Sequence, residues 1–570
     1  MINNQAKRFF ENWMNPWWVL VLVGLIGIQN AESANLYFSA ADNSSISSTS
    51  NWATSATGTP AATSAPTSAD DLFFNITANN SANRTVNLAA SSRAANSVTF
   101  NSSGTTTVNR ATGTSTSSTA NWTINTGITL GSSAGVVTIG ASDQKVILKL
   151  GDVAGAFNLN NNSASAVTIS QMVGLTSSGA NSRTLSVGGS GAGGVNFMGG
   201  LENGSSTASL SLRVNNSSTT VRIDAASTYT GGTILDAGTI ALGSATALGT
   251  GNLTINGGGI ASISSARTIA NNITANGDFK LGGLNQSLTL NGTLGLGGGT
   301  RTISLGNSAT VNGVISNGGL SIGGDGSGTI RTMTLVSGAN SYSGATTVSS
   351  ANLLVSGSIA SSSGTTVGNL GSLTVNGTAS GVTVNSGGSL LGSGTVGAVT
   401  LNSGSFLKPG NSPGNLTASS SVWNSGATYE WQITSLTGTA GTNWDLFTVS
   451  GALDLTNLSS SSKFNLTLNS GGALAGFSPT ADYSWTFAKA ASITGLTSTT
   501  AGTDISTLFN IAAGNFNGGV GPTNGFKVLV GETTGGYTSL NIVPEPSTPA
   551  LMGLGMVALL AVRSIRRRLS

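Results

Sequence analysis

The stretch from residue 373 to residue 403 reads LTVNGTASGVTVNSGGSLLGSGTVGAVTLNS. Three runs within it place Thr between two apolar residues and continue with Asn and then Gly or Ser; they begin at Leu373, Val382 and Val399. Alternating apolar and polar residues are typical of a strand with one buried face, and the Asn-Gly pair is a turn signal. The starting positions differ by 9 and 17 residues, which is consistent with a repeating unit of about 8 to 9 residues.

The same short unit occurs earlier in the chain, beginning at Leu253, Leu288 and Ala309. Because each run is too short to form a stable sheet alone, we expect it to stack on the equivalent run of the next coil. The pattern therefore predicts an all-β fold with a parallel β-helix over residues 81–420 and roughly 20 residues per coil. An array of β-sandwiches is the alternative, since Asn-Gly also forms hairpin turns; the short runs and regular interval favour the β-helix.

The alternation also predicts which side chains face the interior. Val375 and Val384 follow Thr in their runs and should point into a narrow core, whereas Thr374 and Thr383 should point outward. The Val, Ile, Leu and Ala content of these runs suits a core that has no room for large side chains.

A larger unit appears twice. The first copy runs from Tyr229-Thr230-Gly231-Gly232-Thr233 through Gly238, and the second from Tyr342-Ser343-Gly344-Ala345-Thr346 through Gly357. These segments resemble the autotransporter-associated β-strand repeat, also called the passenger-associated transport repeat. The motif residues are Tyr229, Gly231, Gly232, Gly238, Tyr342 and Gly344, and Ala345 replaces the second glycine of the later copy. The resemblance covers about residues 200 to 450 and implies a right-handed parallel β-helix at the cell surface, with no catalytic residues.

Large aromatic residues mark the two ends of the predicted β-helix. Residues 421–541 contain Trp423, Trp431, Trp444 and Trp485, and predict an aromatic-rich C-terminal β cap. Residues 34–80, which include Trp52, predict the matching N-terminal cap. The C-terminal tryptophans allow two interpretations, either a packed cap core or a surface on which sugar rings stack.

Residues 542–570 predict a sorting signal with a transmembrane helix. An apolar run, Ala550 to Val562, contains thirteen uncharged residues, which is short for a span of roughly 20. Arginines follow it, and favour a cytoplasmic C-terminus; an ordinary tail anchor or a buried helix is the alternative. The motif residues are Val543, Pro544, Glu545, Pro546 and Ser547, and the basic residues are Arg563, Arg566, Arg567 and Arg568. The order of motif, apolar run and basic end resembles the PEP-CTERM sorting signal of Gram-negative bacteria, and implies handling by an exosortase.

The N-terminus predicts export. Lys7 and Arg8 precede an apolar run from Trp17 to Ile28, and Ala31-Glu32-Ser33 offers small residues for cleavage before Ala34. Residues 1–33 therefore form a predicted signal peptide, and an uncleaved membrane anchor is the alternative. The export machinery is accordingly a predicted partner.

Composition excludes several kinds of chemistry. The chain contains no Cys and no His, only 7% of its residues are charged, and its formal net charge is +3. Disulfides, thiolate metal sites and histidine catalysis are thus impossible, and no basic patch is present for nucleic acid. The 76 residues between Arg331 and Lys408 carry no charged side chain, so that stretch cannot supply an acid/base pair. We predict no enzyme activity, no cofactor and no catalytic or metal-binding residue.

These observations predict an exported bacterial structural or adhesin-like protein. Its expected location is the cell envelope, cell surface or extracellular matrix, with at least transient membrane anchoring through the C-terminal helix. Adhesion, biofilm matrix building or surface coating would suit such a molecule. A polysaccharide-binding module that uses the aromatic cap is the second interpretation, and a β-helix polysaccharide lyase or hydrolase is the weakest.

Overall fold

The computed structural model describes residues 33–40, 44–74, 81–88, 92–111, 119–140, 145–176, 180–204 and 207–545. Over these ranges the chain is all-β, with three short 3₁₀ helices and no α-helix. None of the helices in the described ranges has the length and apolarity needed to cross a bilayer. Nearly all of the predicted signal peptide and the predicted transmembrane segment, Ala550 to Val562, lie outside the described residues. The chain divides into two compact units, Met1–Leu210 and Ser211–Ser570.

The first unit consists of short strands and one 3₁₀ helix, Thr49–Asn51. Its strands are β1 Asn35–Phe38, β2 Ser44–Ser45, β3 Trp52–Ala53, β4 Asp71–Phe74, β5 Arg84–Leu88, β6 Arg93–Phe100, β7 Thr106–Arg110, β8 Ala120–Leu130, β9 Val137–Ile139, β10 Val146–Leu150, β11 Ala156–Asn161, β12 Val167–Ile169, β13 Val173–Leu175, β14 Arg183–Gly188, β15 Val195–Phe197 and β16 Leu201–Glu202.

Parallel ladders connect the strands of the first unit. One ladder runs β1–β4–β6–β8–β11–β14, and another runs β5–β7–β9–β12–β15. Among the described residues of this unit, the short pair β1–β3 and the isolated bridge between Ala53 and Ala61 are antiparallel. Successive strands of a ladder lie far apart in sequence: Asn196 donates from Nδ2 to Thr168 Oγ1 at 3.1 Å across 28 residues. This unit therefore uses longer connections than the roughly 20 residues predicted per coil.

The second unit has two 3₁₀ helices, Ser506–Leu508 and Phe516–Gly519, and the remaining strands. These are β17 Leu210–Ile223, β18 Thr233–Leu242, β19 Leu253–Ile255, β20 Gly259–Ser262, β21 Arg267–Ile269, β22 Ile273–Ala275, β23 Phe279–Leu281, β24 Leu288–Leu290, β25 Leu294–Gly295, β26 Thr300–Leu305, β27 Ala309–Val311, β28 Ile315–Ser316, β29 Gly319–Gly324, β30 Thr332–Leu335, β31 Thr346–Ser349, β32 Asn352–Val355, β33 Ser358–Ile359, β34 Thr365–Val367, β35 Ser372–Val375, β36 Thr378–Ala379, β37 Val382–Val384, β38 Ser389–Gly392, β39 Thr395–Leu401, β40 Phe406–Pro409, β41 Asn415–Trp423, β42 Thr428–Gln432, β43 Leu446–Asp454, β44 Phe464–Asn469, β45 Trp485–Thr494, β46 Phe509–Asn515, β47 Phe526–Thr534 and β48 Tyr537–Pro544.

Two long parallel ladders organise this unit. The first runs through β20, β23, β26, β29, β31, β34, β37, β39, β41, β43 and β45. The second runs through β21, β24, β27, β30, β32, β35, β38, β40, β42, β44 and β46. Shorter parallel series join β19, β22, β25 and β28, and β33, β36 and β39. Every pairing in these series is parallel, and an antiparallel hairpin array is absent from them.

The repeated runs occupy alternate ladders. Leu373 stacks between Leu353 and Leu390 in the second ladder, whereas Val382 stacks on Val399 in the first, 17 residues on. The interval of 9 residues between Leu373 and Val382 thus separates strands of different ladders. The interval of 17 residues between Val382 and Val399 separates neighbouring strands of the same ladder. Return intervals of 17 to 22 residues recur in this unit, for example between Asn385 and Asn402, and agree with the predicted coil of roughly 20.

The predicted direction of the side chains is confirmed. Val375 and Val384 are fully buried, and Thr374 and Thr383 are half-exposed. The strands share this pattern because neighbouring side chains on a strand point to opposite faces. The buried aliphatic side chains of each strand therefore lie beside the buried side chains of the strands that pair with it.

Asparagines that follow the runs stack on one another at the turns. Asn402 Nδ2 donates to Asn385 Oδ1 at 2.8 Å, Asn424 Nδ2 to Asn402 Oδ1 at 3.0 Å, and Asn457 Nδ2 to Asn424 Oδ1 at 2.7 Å. Asn402 and Asn424 each donate to the asparagine before them in this series and accept from the asparagine after them. The asparagine thus links adjacent coils as well as favouring the turn.

The two tyrosine motifs occupy equivalent positions. Tyr229 and Tyr342 are buried, and each hydroxyl lies within hydrogen-bond distance of the Thr four residues later, Thr233 or Thr346, at the start of β18 or β31. Burial raises the pKa of Tyr342 to about 12. The tyrosine therefore fixes how the chain enters a strand.

The motif glycines lie where a side chain would collide. Gly232 has φ +84° and Gly238 φ +83°, and a Cβ on Gly238 would lie 2.3 Å from the Asn216 carbonyl oxygen. A Cβ on Gly344 would lie 2.6 Å from the Gly318 carbonyl oxygen. Gly231, beside Gly232, lies in the exposed turn before β18. Positive φ and close backbone approach account for Gly232 and Gly238, and close backbone approach accounts for Gly344.

Candidate sorting and processing site

The end of the fold is a small antiparallel sheet that breaks the parallel pattern. β47 and β48 form a hairpin whose turn is Gly535-Gly536, with φ +57° and +81°. Positive φ at both central residues is what a tight hairpin turn requires, and glycine supplies it without strain. β48 lies between β45 and β47 and pairs antiparallel with both.

The predicted sorting motif begins inside this sheet. Val543 pairs with Lys527 and Pro544 with Phe526, and the Glu545 N–H donates to the Gly525 carbonyl oxygen at 2.9 Å. The last strand thus extends past the predicted cap boundary at residue 541. Pro546 and Ser547, and the basic residues Arg563, Arg566, Arg567 and Arg568, lie outside the described residues.

Only one edge of the motif is paired in the sheet. The register with β45 ends at Ile542, which pairs with Trp485, so that Val543 and Pro544 pair with β47 alone. Proline has no N–H to donate and is tolerated where one edge of a strand is free. Ile542 itself is fully buried, which anchors the strand immediately before the motif.

Lys527 connects the motif to the cap electrostatically. Its Nζ lies 3.4 Å from Asp504 Oδ2 and 3.8 Å from Glu545 Oε1. Burial opposes ionisation of Asp504, but hydrogen bonds from Ser506 and the charge of Lys527 together lower the pKa of the Asp504 carboxyl. No local sequence pattern marked Lys527, because its position opposite Val543 is set by the hairpin register.

A second polar feature lies where the segment from Leu407 to Thr417 meets the cap. Asp445 is 1% exposed and accepts hydrogen bonds from the Gly414 N–H and the Gln432 N–H, both at 2.9 Å. Burial raises the pKa of Asp445 to about 7, against the opposing effect of the two backbone donors. Asp445 therefore ties the loop at Gly414 to strand β42 and acts as a structural clamp.

The four cap tryptophans confirm the packed interpretation. Trp423, Trp431 and Trp485 are at most 1% exposed and Trp444 is 7% exposed. Trp423 stacks on Phe464 with ring centroids 4.4 Å apart. Since a sugar ring needs an open aromatic face, these four side chains cannot provide the stacking surface that the alternative interpretation required.

Asp70 and Asp71 hold local structure through hydrogen bonds. Asp70 accepts from the Ala34 N–H at 3.0 Å and from the Thr67 N–H at 2.8 Å, and Asp71 accepts from Asn96 and Ser97. The two neighbouring carboxylates therefore bind different segments of the chain.

Asp325, in the glycine-rich segment 323–328, pairs with Lys280 at 2.8 Å, and this contact lowers the pKa of Asp325. Within the described ranges no three acidic side chains are grouped to hold a metal ion.

Comparison with known protein families gives one match, at the C-terminus. The PEP-CTERM protein-sorting motif matches residues 543–568. No curated protein matches the chain. The matched segment begins at the strand residue Val543 and continues beyond the described fold. Residues 543–568 thus carry a PEP-CTERM sorting motif, which indicates an exported surface protein that is handled by an exosortase.

Proposed function

We propose that this protein is a non-catalytic, structural or adhesin-like protein of a Gram-negative cell surface, sorted through its C-terminal signal. The observation that carries the proposal is the sorting motif at residues 543–568, directly preceded by a folded all-β chain. A signal peptide at residues 1–33 and a membrane helix within residues 542–570 complete the proposed export route. Adhesion, biofilm matrix building and surface coating are the roles that such a molecule would fill.

The proposed architecture is a right-handed parallel β-helix of the autotransporter-associated repeat kind. Support comes from the parallel ladders of the second unit and from the matching positions of Tyr229 and Tyr342. Aliphatic side chains on the inward face and stacked asparagines at the turns suit this architecture. An experimental density map would test it, and a left-handed coil or an array of antiparallel hairpins would overturn it.

A non-catalytic role agrees with the polar contacts. Asp70, Asp71 and Asp445 are each engaged by backbone or side-chain donors that hold loops and strands together. Acid/base catalysis instead needs a carboxylate placed to reach a substrate. The chain offers carboxylates as structural ties, which supports a scaffold over a lyase or hydrolase.

The sorting function is tested by changing Pro544, Glu545 and Pro546 to Ala together. The apolar run and the arginines remain, so a simple hydrophobic anchor would behave as before. A sorting signal would fail, and unprocessed protein would accumulate in the inner membrane. Cell fractionation and the intact mass of the mature product provide the measurement. Identical location and identical C-terminal mass for the two versions would reject processing at this motif.

Polysaccharide binding is the second candidate, and the first unit supplies the observation that favours it. Tyr37 and Phe73 are half-buried side chains on neighbouring parallel strands, with stacked ring centroids 4.9 Å apart. Asp71 lies two residues before Phe73 on the same face of β4. Aromatic rings beside a carboxylate suit contact with a sugar ring and its hydroxyls.

A double variant, Y37S/F73S, tests this candidate. Binding to polysaccharide extracted from the producing cells, measured by co-sedimentation, should fall at least about tenfold if the rings carry it. Changing Tyr537, a half-buried aromatic residue of the second unit, to Ser serves as the control. Undiminished binding by Y37S/F73S, or a loss equal to that of the control, would reject this surface.

A further inference from the structure

The sorting motif has no spacer between it and the folded cap. Val543 and Pro544 are the last residues of β48, and the Glu545 N–H remains bonded to the Gly525 carbonyl oxygen. The residues just before them are held firmly, since Leu540 and Ile542 are fully buried. The start of the motif is therefore part of the tertiary structure.

Four contacts hold the motif against β47. The strand pairings Val543–Lys527 and Pro544–Phe526 set the register, the Gly525 carbonyl accepts from Glu545 at 2.9 Å, and Lys527 Nζ lies 3.8 Å from Glu545 Oε1. We call these contacts the latch. The Glu545 side chain is 33% exposed, so that its ion pair is weak and the backbone contacts dominate.

A processing enzyme must take the motif as an extended segment with free backbone groups. Backbone N–H and C=O groups that are bonded within a sheet cannot be bonded to an enzyme at the same time. Any segment that an enzyme binds must first leave its partner, and the free energy of that opening reduces the apparent affinity for the segment. While the latch is closed, the backbone groups of the motif that face β47 are already hydrogen-bonded and cannot bind an enzyme.

We propose that the latch regulates processing: the enzyme acts on this chain only after residues 543–545 detach from β47. The inference rests on the proposed sorting function and adds a conformational step to it. Opening is local, because β45 and the remainder of β47 keep Tyr537 to Ile542 in place. A folded cap therefore slows processing, and a chain whose last strand is unpaired is processed fast.

The test separates the motif from the latch with a spacer. Six Gly and Ser residues are inserted between Ile542 and Val543, which leaves the buried strand paired and frees the motif. The matched control carries the same insertion between Gly535 and Gly536 at the exposed hairpin turn. Pulse-chase labelling of the full chain in the producing cells, with intact mass as readout, gives the half-time of processing.

We expect the spacer at 542/543 to shorten the half-time roughly five- to tenfold, as the loss of one or two backbone hydrogen bonds would. The hairpin-turn control should match the wild type. A milder variant, Lys527→Gln, should shorten it by about 1.5- to twofold, since an exposed ion pair contributes a few tenths of a kcal/mol. If the spacer variant fails to fold, as judged by tryptophan fluorescence melting, Lys527→Gln alone decides the question.

An unchanged or longer half-time in the spacer variant with a wild-type melting temperature would overturn the latch, as would equal acceleration by the hairpin-turn control. If the spacer variant is unfolded, an unchanged processing half-time for Lys527→Gln would overturn the latch. The triple change of Pro544, Glu545 and Pro546 to Ala distinguishes the two failures. If the triple variant is processed normally, the sorting function itself is wrong; if it is blocked while the spacer has no effect, only the latch is wrong.

Discussion

The second unit contains two regions that reach stability by different means. In the ladder region, residues 253–414, strands such as β35 and β37 have 4 and 3 residues. Successive strands of a ladder there pair in a similar way, as Leu373 does with Leu353 and with Leu390. In the closing region, residues 415–545, β43 and β45 have 9 and 10 residues, and a cluster of rings forms the core. Pairings of the same kind recur along the ladder region, whereas the ring cluster depends on single residues that have no counterpart in the ladder region.

The difference has a consequence for mutations. In a stacked array each coil is stabilised by the coils on either side, so a change in one weakens its neighbours. In the closing region a change should act where it is made, because each ring has its own partners. The experiments below test that contrast.

The largest effect should come from a charge in the ladder core. Val375→Asp buries an unpaired carboxylate at a fully buried position and should cost roughly 3–5 kcal/mol of the free energy of unfolding. Val384→Asp should behave alike, although it lies in the other ladder. Far-ultraviolet circular dichroism in a urea titration measures the loss, and limited proteolysis should show cuts spreading to adjacent coils.

Thr374→Asp is the matched control, since Thr374 neighbours Val375 and points outward. It should cost about 1 kcal/mol or less. If the Thr374 variant proved the more destructive, the assignment of inward and outward faces would be reversed.

Trp423→Ala should lower the free energy of unfolding by a similar amount, but the damage should stay within the closing region. This change removes a ring that contacts Phe464, Tyr429 and Phe447, and should cost about 3–5 kcal/mol. The melting transition followed by the remaining tryptophans should shift, while proteolysis of the ladder region stays at the wild-type level. Spread of the cuts into the ladder region would contradict the contrast between the regions.

Trp423→Phe provides the graded control for that ring. The indole Nε1 of Trp423 has no hydrogen-bond partner among the described residues, so Phe should lose volume alone. We expect well under half of the alanine effect. An equal loss for Phe and Ala would mean that the ring contacts are not the source of stability.

A smaller, pH-dependent effect should come from Asp445, which joins the two regions. Its pKa is raised from 3.8 to about 7 in the folded protein. The folded state therefore binds the proton more tightly than the unfolded state, and this residue's contribution to stability is complete below about pH 4 and is lost as the pH rises toward 7. Wild-type protein should unfold at lower urea concentration at pH 8 than at pH 5.

Asp445→Asn should flatten that pH dependence. The amide oxygen can accept from only one of the Gly414 and Gln432 N–H groups, so the variant should also lose about 1–3 kcal/mol at pH 8. Asp482→Asn, at an exposed position in the closing region, should leave the slope unchanged. A slope that persists in the Asp445 variant would show that another group produces it.

The smallest effect should come from the stacked asparagines. Asn402→Ala breaks bonds to Asn385 and Asn424, and should cost about 1–2 kcal/mol. Asn457→Ala, at the end of the same stack, breaks one bond and should cost about half as much. Thermal melting of both variants supplies the comparison, and equal losses would mean that the amides act through their turns and not through the stack.

Much of the ladder region could be predicted from residues alone, because its contacts repeat at short range. Alternation in Leu373-Thr374-Val375 determines which side chains face the core, since neighbours on a strand point to opposite sides. The Asn-Gly and Asn-Ser pairs mark where the strands end, although none of these asparagines or the residues directly after them has positive φ. Close backbone approach explains Gly377 instead, because a Cβ there would lie 1.8 Å from the Gly357 carbonyl oxygen. The sorting motif is likewise contiguous in sequence, from Val543 to Ser547, and can be identified without knowledge of the fold.

Pairing between distant residues was decided only in the tertiary structure. The sequence shows a gap of 9 residues between Leu373 and Val382 but not that they lie in different ladders, because stacking depends on the path of the intervening turns. The longer connections of the first unit were not predicted either, because the pairing of its strands also depends on the path of the intervening turns. Three features could not be predicted from local sequence: the burial of Trp423, the hydrogen bonds of Asp445, and the pairing of Val543 with Lys527. Each depends on contacts between residues that are distant in the sequence, and the residues next to them along the chain show no pattern that indicates the contact.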